Sequence, residues 1–282
     1  MDTTLSEGPA ETDSATESET AAPTAPATAP APVHPRMRDA SGRRRLSLNL
    51  IYGWYIRPVI WRLMNPGRTP EDYYAETINN RLRRGRKHPA IGGNARAVRA
   101  PTELLDILLG YGLQPRHAVV DYGCGSFRLG KALIEYLEPG RYWGLDPVDE
   151  FLQAGIQLLE PELLAEKRPN PRLITPENLA EARQAAPDFI ISWHVCSKVP
   201  ASRLPDYFGK IIALMGPDSV ALVHFPEAAQ RTRQSCFSWA QSREGIAAAI
   251  HRVDPSLAVR FAPVTDQINR GIRQTMVEIR RP

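Results

Sequence analysis

The sequence predicts an α/β fold, a mostly parallel sheet with helices on both faces. Three observations predict it. Val119-Val120-Asp121-Tyr122-Gly123-Cys124-Gly125-Ser126-Phe127-Arg128 reads as a buried strand ending at an acid, then a glycine turn, then a helix start. Tyr142-Trp143-Gly144-Leu145-Asp146 reads as a second short strand ending in an acid. Between them Leu129, Ala132, Leu133, Tyr136 and Leu137 recur with a helical period, so strand, helix and strand follow in the order of a parallel unit.

Three segments precede or contain that unit. Residues 1–40 are rich in Ala, Thr, Pro, Glu and Ser, with almost no bulky apolar side chain. They cannot bury enough surface to offset the entropy of ordering, so a disordered tail is expected. Residues 41–100 are expected to be a basic, aromatic-containing helical extension or lid, and residues 101–282 the α/β domain. The formal charge of +4 hides this division: residues 1–40 carry seven acids and two arginines, whereas residues 41–100 carry 13 bases and three acids.

Within the basic segment, Arg43-Arg44-Arg45 leads into Leu46–Met64, which holds Tyr52, Trp54, Tyr55 and Trp61. Asn49, Arg57, Pro58 and Arg62 interrupt it, and a membrane span needs ~20 mostly apolar residues. Two readings stand. Short helices pack on the domain or on a second subunit; or the stretch, residues 43–64, is a peripheral membrane contact, aromatics at the headgroups and arginines on anionic lipid. The pattern favours the first, because no strong amphipathic period is evident. Arg81-Leu82-Arg83-Arg84-Gly85-Arg86-Lys87-His88 is a charge run. It reads as a solvated face, or as a hold on an anionic substrate, membrane or nucleic acid. No aromatics interleave it, so stacking on single-stranded nucleic acid is not supported.

The remaining elements follow in order. Residues 101–112 read as a helix opened by Pro101, and residues 148–160 as another, with Phe151, Leu152, Ile156 and Leu159 on one face. Pro171–Thr175 is the third strand, and the apolar run Pro187–His194, entered from Asp188, is the fourth. Leu204, Tyr207, Phe208, Ile211 and Ile212 mark a helix, and Val220–Phe225 the fifth strand. Residues 226–242 read as a polar loop above the sheet, Ala247–Ile250 as part of a helix, and Leu257–Val264 and Gln274–Ile279 as a final antiparallel pair, an edge strand folded back beside the fifth.

The glycine turn narrows the ligand. A dinucleotide fingerprint wants a third glycine where this chain has Arg128, and no G-K-[ST] follows for a P-loop. Asp121, two residues before the first glycine, would repel a pyrophosphate and suits a ligand with a cationic end. An acid at the end of the second strand, Asp146, suits ribose hydroxyls. Apolar-apolar-Asp-x-Gly-x-Gly resembles motif I of the class I S-adenosylmethionine (SAM)-dependent methyltransferases. The resemblance covers about residues 100–282. It implies a Rossmann-like seven-strand sheet with the last strand antiparallel, and SAM as cofactor. It implies cofactor contacts from Asp121, Gly123, Cys124, Gly125, Asp146, Pro147, Ser192 and Trp193. It also implies a helical lid before the glycine turn, with His88–Gly93 at the substrate entrance, and an adenine contact at Glu177 or Asn178. These last two alternatively cap the next helix.

His194, just past the fourth strand, is the candidate catalytic base, with His224 second; either also reads as a packed histidine. Arg128 binds an anionic substrate or pairs with Glu135. The expected activity is methyl transfer to a small-molecule or glycan acceptor at oxygen. Alternatives are an RNA or protein methyltransferase using residues 81–87, or a non-catalytic SAM-binding scaffold. Nucleic acid is possible but not favoured, and amino-methylation of DNA bases is not expected, because no Asn-Pro-Pro-Tyr-type motif follows the fourth strand. Cys124, Cys196 and Cys236 show no metal or C-x-x-C spacing, so no metal is expected and a reduced cytoplasmic protein is. Nothing at the N-terminus resembles a signal peptide. The sequence leaves the oligomeric state open.

Overall fold

Seven strands build the central sheet: β1 (Val119–Tyr122), β2 (Tyr142–Asp146), β3 (Asn170–Leu173), β4 (Phe189–Ser192), β5 (Val220–Glu227), β6 (Ala258–Asn269) and β7 (Ile272–Arg280). They lie in the order β6-β7-β5-β4-β1-β2-β3. The first five strands pair in parallel, and β7 runs antiparallel to both β5 and β6. The computed structural model describes residues 36–38, 44–46, 52–68, 70–83, 102–235, 238–269 and 271–282. The expected disorder of residues 1–35, the entrance at residues 88–93 and the helix start at Pro101 lie outside them.

Helices flank the sheet: α1 (Arg57–Met64), α2 (Pro70–Arg83), α3 (Glu103–Gly110), α4 (Gly130–Tyr136), α5 (Asp149–Leu158), α6 (Pro161–Lys167), α7 (Pro176–Gln184), α8 (Leu204–Leu214) and α9 (Arg243–Val253). Side chains alternate across a strand, so consecutive valines serve opposite layers. Val119 joins Leu104, Leu108, Leu133 and Ile191 in one core; Val120 joins Tyr207, Phe208, Ile211 and Ile250 in the other. Both faces are buried, which is why β1, β4 and β5 are continuous apolar runs rather than alternating ones. The entry to β1 and β4 is clipped by Asp188, whose Oδ2 accepts from the Ala118 amide at 2.7 Å.

Two expectations are revised. Residues 226–242 are not a plain loop: Thr232–Ser235 and Ser238–Ala240 form an antiparallel hairpin. It is anchored where the Gln241 side chain donates to the buried Val199 carbonyl, at 3.3 Å. The strand that folds back beside β5 is interior, because β6 covers its other edge. A further short pair, Arg36–Arg38 with Arg44–Leu46, runs across residue 40, the boundary expected for the tail.

Candidate functional site

The sheet order reverses between β1 and β4, so the crevice for a ligand opens at the carboxyl ends of those two strands. The glycine turn fills one side of it. Gly123 has φ +88°, and a Cβ there would lie 2.2 Å from Val195 Cγ2. The turn after β4 therefore rests directly on the turn after β1, and glycine alone permits the approach. Gly123 and Cys124 amides both donate to the Leu145 carbonyl, at 2.6 and 3.1 Å, which ties the turn to the end of β2.

Two buried carboxylates face this turn. Asp121 accepts from the Tyr142 hydroxyl at 2.9 Å. Asp146 accepts from the Gly125 amide through Oδ2 and from the Val148 amide through Oδ1, each at 2.9 Å. Burial pushes the Asp121 pKa up to about 7, the Tyr142 hydrogen bond opposing and Asp146 reinforcing. Burial likewise raises Asp146 to about 6, against its two backbone hydrogen bonds. No cationic side chain among the described residues offsets either charge. An uncompensated pair of acids in a crevice suits a ligand that brings its own positive charge.

The other residues expected at the cofactor divide by what their side chains touch. Cys124 lies between the acids, and its thiol is pushed well above the usual range, chiefly by burial and then by the two carboxylates; it is no nucleophile. Pro147 is exposed beside Asp146. Trp193 stacks near His224, ring centroids 4.4 Å apart. Ser192 points into the core: its hydroxyl donates to the Tyr122 carbonyl at 2.8 Å and accepts from Tyr207 at 2.7 Å. The residue is 1% exposed, so its side chain offers a ligand nothing. Glu177 and Asn178 serve the cap of α7. The Asn178 amide donates to the Thr175 hydroxyl at 3.2 Å, and its side chain donates to the Leu173 carbonyl at 2.9 Å.

His194 has a left-handed backbone, φ +60°, and turns its ring edge-on to His224 at 4.3 Å. The residue as a whole is exposed, yet protein crowds its ring. Lost hydration lowers its pKa to about 4, and Arg128 and Lys198 push the same way. His224 is buried on β5; burial holds it well below its ordinary value, so it stays neutral. Arg128 makes no pair with Glu135, which lies 3.8 Å from Lys131 instead.

Sequence reasoning missed three contributors. Phe127, at φ +56°, plugs a slot beneath the turn where a Cβ on Gly144 or Gly155 would meet its ring at 2.7 or 2.5 Å. The signal was a glycine in each of two apolar segments. Tyr142 reaches Asp121 over Gly130, where a Cβ would lie 2.1 Å from its hydroxyl. Burial, with the Asp146 charge adding to it, raises the phenol of Tyr74 on α2 to about 12.

Fold and site together define a class I SAM-dependent methyltransferase. The chain belongs to a methyltransferase-domain family, whose profile matches residues 94–254. Among solved structures it is similar to magnesium protoporphyrin IX methyltransferase from Synechocystis with bound SAM. That likeness has 15% identity and a TM-score of 0.53, and covers 77% of this chain and 100% of that one. It is also similar to a SAM-dependent methyltransferase from Leishmania major, at 14% identity and a TM-score of 0.53, covering 91% of this chain and 100% of that one. No curated protein matches the sequence significantly. The described residues hold no His/Cys/Asp/Glu cluster suited to a metal ion. None of their helices is long and apolar enough to cross a membrane.

Proposed function

We propose that the protein transfers a methyl group to an oxygen of a small-molecule or glycan acceptor that carries an anionic group. The setting of His194 is the observation behind this reading: an exposed residue with a neutral imidazole, directly before the Val195 side chain that packs on Gly123, with the charges of Arg128 and Lys198 acting on it. The cofactor supplies an electrophilic methyl carbon on a sulfonium. Asp121 and the turn Gly123–Gly125 hold its cationic methionine end, and Asp146 with Pro147 faces its ribose. Trp193 and the backbone of Ser192 border the methyl-transfer position. Burial of the two carboxylates strengthens their attraction for that cation, because little solvent screens it.

His194 takes the proton of the acceptor hydroxyl as the new carbon–oxygen bond forms and the methyl–sulfur bond breaks, its electron pair staying on sulfur so that S-adenosylhomocysteine leaves as a neutral thioether. A low pKa keeps the imidazole unprotonated at pH 7 and therefore able to accept. Arg128 and Lys198 hold the anionic group of the acceptor and so aim its hydroxyl. His224, buried and neutral, backs the His194 ring.

The test uses methyl-labelled SAM with a panel of hydroxylated acids and their neutral analogues. Label is expected in the acids. His194→Asn, which tolerates the left-handed backbone, should lower kcat by about 100-fold or more. Its affinity for S-adenosylhomocysteine, measured by calorimetry, should stay unchanged. Label only in neutral acceptors, or an undiminished rate in His194→Asn, overturns the acceptor assignment. Binding of SAM and S-adenosylhomocysteine with no label in any acceptor would return the scaffold reading, and failure of the folded protein to bind either overturns the whole proposal.

A further inference from the structure

We propose that α1, with the π-helical turn Tyr52–Ile56 before it, is a docking surface for an anionic lipid membrane. Its apolar side chains face outward. Ile56, Val59 and Ile60 are 45%, 57% and 42% exposed, and Leu63 and Met64 are 78% and 75% exposed. Six of the eleven large hydrophobic side chains exposed among the described residues fall in this one segment of thirteen residues, Tyr52 being the sixth. No residue of α1 is buried.

The spacing is that of one helical face. At about 100° per residue, positions 56, 59, 60, 63 and 64 fall within an arc of roughly 140°. Trp61 and Asn65 lie on the opposite side. That side is tied to the body of the protein: Trp61 packs on buried Tyr73 with ring centroids 5.1 Å apart, and Arg68 lies over the Trp61 ring at 5.0 Å. The usual amphipathic helix of a globular protein turns its apolar stripe inward; α1 turns it out and holds the protein with the other face. Such an arrangement is stable against water only at a modest cost, and that cost is recovered when the stripe enters an apolar phase.

Charge selects the phase. Arg57 and Arg62 are exposed and flank the stripe on its two sides, where long cationic side chains reach headgroups while their stems lie along the acyl boundary. Residues 41–70 carry six arginines and no acid. A surface that offers both an apolar interior and a negative rim matches this pattern, and an anionic bilayer does so. With no span available, docking would be peripheral and reversible. The turn Asn65–Arg68 leads directly from α1 into α2, so the membrane would lie on the side of the protein where α2 covers the second acid, Asp146.

The experiment is flotation of the full-length protein with phosphatidylcholine vesicles, with and without about 30 mol % phosphatidylglycerol. Wild type should float with the anionic vesicles, and the bound fraction should fall several-fold in high salt. Ile60→Glu combined with Leu63→Glu should weaken binding by at least about tenfold. Both positions are exposed, so the melting temperature should hold; Ile60→Ser with Leu63→Ser serves if it does not. Equal binding to neutral and anionic vesicles overturns the proposal, as does binding that survives both double variants. So does a dimer, seen by light scattering, that either double variant converts to monomer: the occupant is then a second copy of the chain.

Discussion

Asp121 and Asp146 are acids whose protons are held more tightly in the native protein than in the unfolded chain. As pH rises past the ordinary value of 3.8, the unfolded chain releases the Asp121 proton, while the native protein keeps it until about 7. The native state therefore binds more protons across that window, and stability of the ligand-free protein falls as pH rises through it. Denaturation at pH 5 and pH 7.5 checks this, and Asp121→Asn should flatten the difference. A cationic ligand reverses the balance by favouring the charged carboxylate. Affinity for SAM should rise up to about tenfold between pH 6 and pH 8, with proton release seen in buffers of different ionisation enthalpy. At this scale the positions of the two acids and His194 were legible, because Asp121 lies next to the end of β1, Asp146 ends β2 and His194 follows β4 by two residues, and apolar runs mark all three strands. Tyr142 was not: its bond to Asp121 depends on Gly130, a residue on another element.

The glycine turn is an element held from below. Phe127 fills the slot that Gly144 on β2 and Gly155 on α5 leave open, and its ring meets Tyr142 edge-on with centroids 6.1 Å apart. Phe127→Ala should cost about 3–5 kcal/mol, the range for a buried aromatic, measured by urea denaturation. It should also weaken SAM more than a surface change would, because the turn above loses its floor. Helix α4 correspondingly starts at Gly130 rather than directly after the second glycine, since Phe127 in a left-handed conformation continues no helix. The hairpin within residues 226–242 was invisible for a related reason. Its strands are only four and three residues long, and its side-chain anchor is one glutamine on the carbonyl of a distant loop.

Over the whole molecule, α2 connects the basic N-terminal segment to the cofactor crevice. Ile78 and Tyr74 pack with Val148 and Phe151, just beyond Asp146. A ligand seated against Asp146 should stabilise that packing. S-adenosylhomocysteine at about 100 times its Kd should add about 2.7 kcal/mol of stability. It should also slow amide exchange in residues 70–83 as well as in the glycine turn; slowing confined to the turn would deny α2 a covering role.

By itself the sequence determined the α/β class, the seven strands, the glycine turn with its two acids, and hence the cofactor. Each is written in local terms, as apolar runs whose length and period dictate strand or helix, and as glycines at fixed distance from an acid. Tertiary structure alone decided which side chains those acids would meet, that Ser192 turns into the core, that Phe127 carries the turn, and that α1 faces its apolar stripe outward. Those outcomes depend on packing between segments far apart in the chain, and periodicity gives the shape of a helix face without saying which way it points.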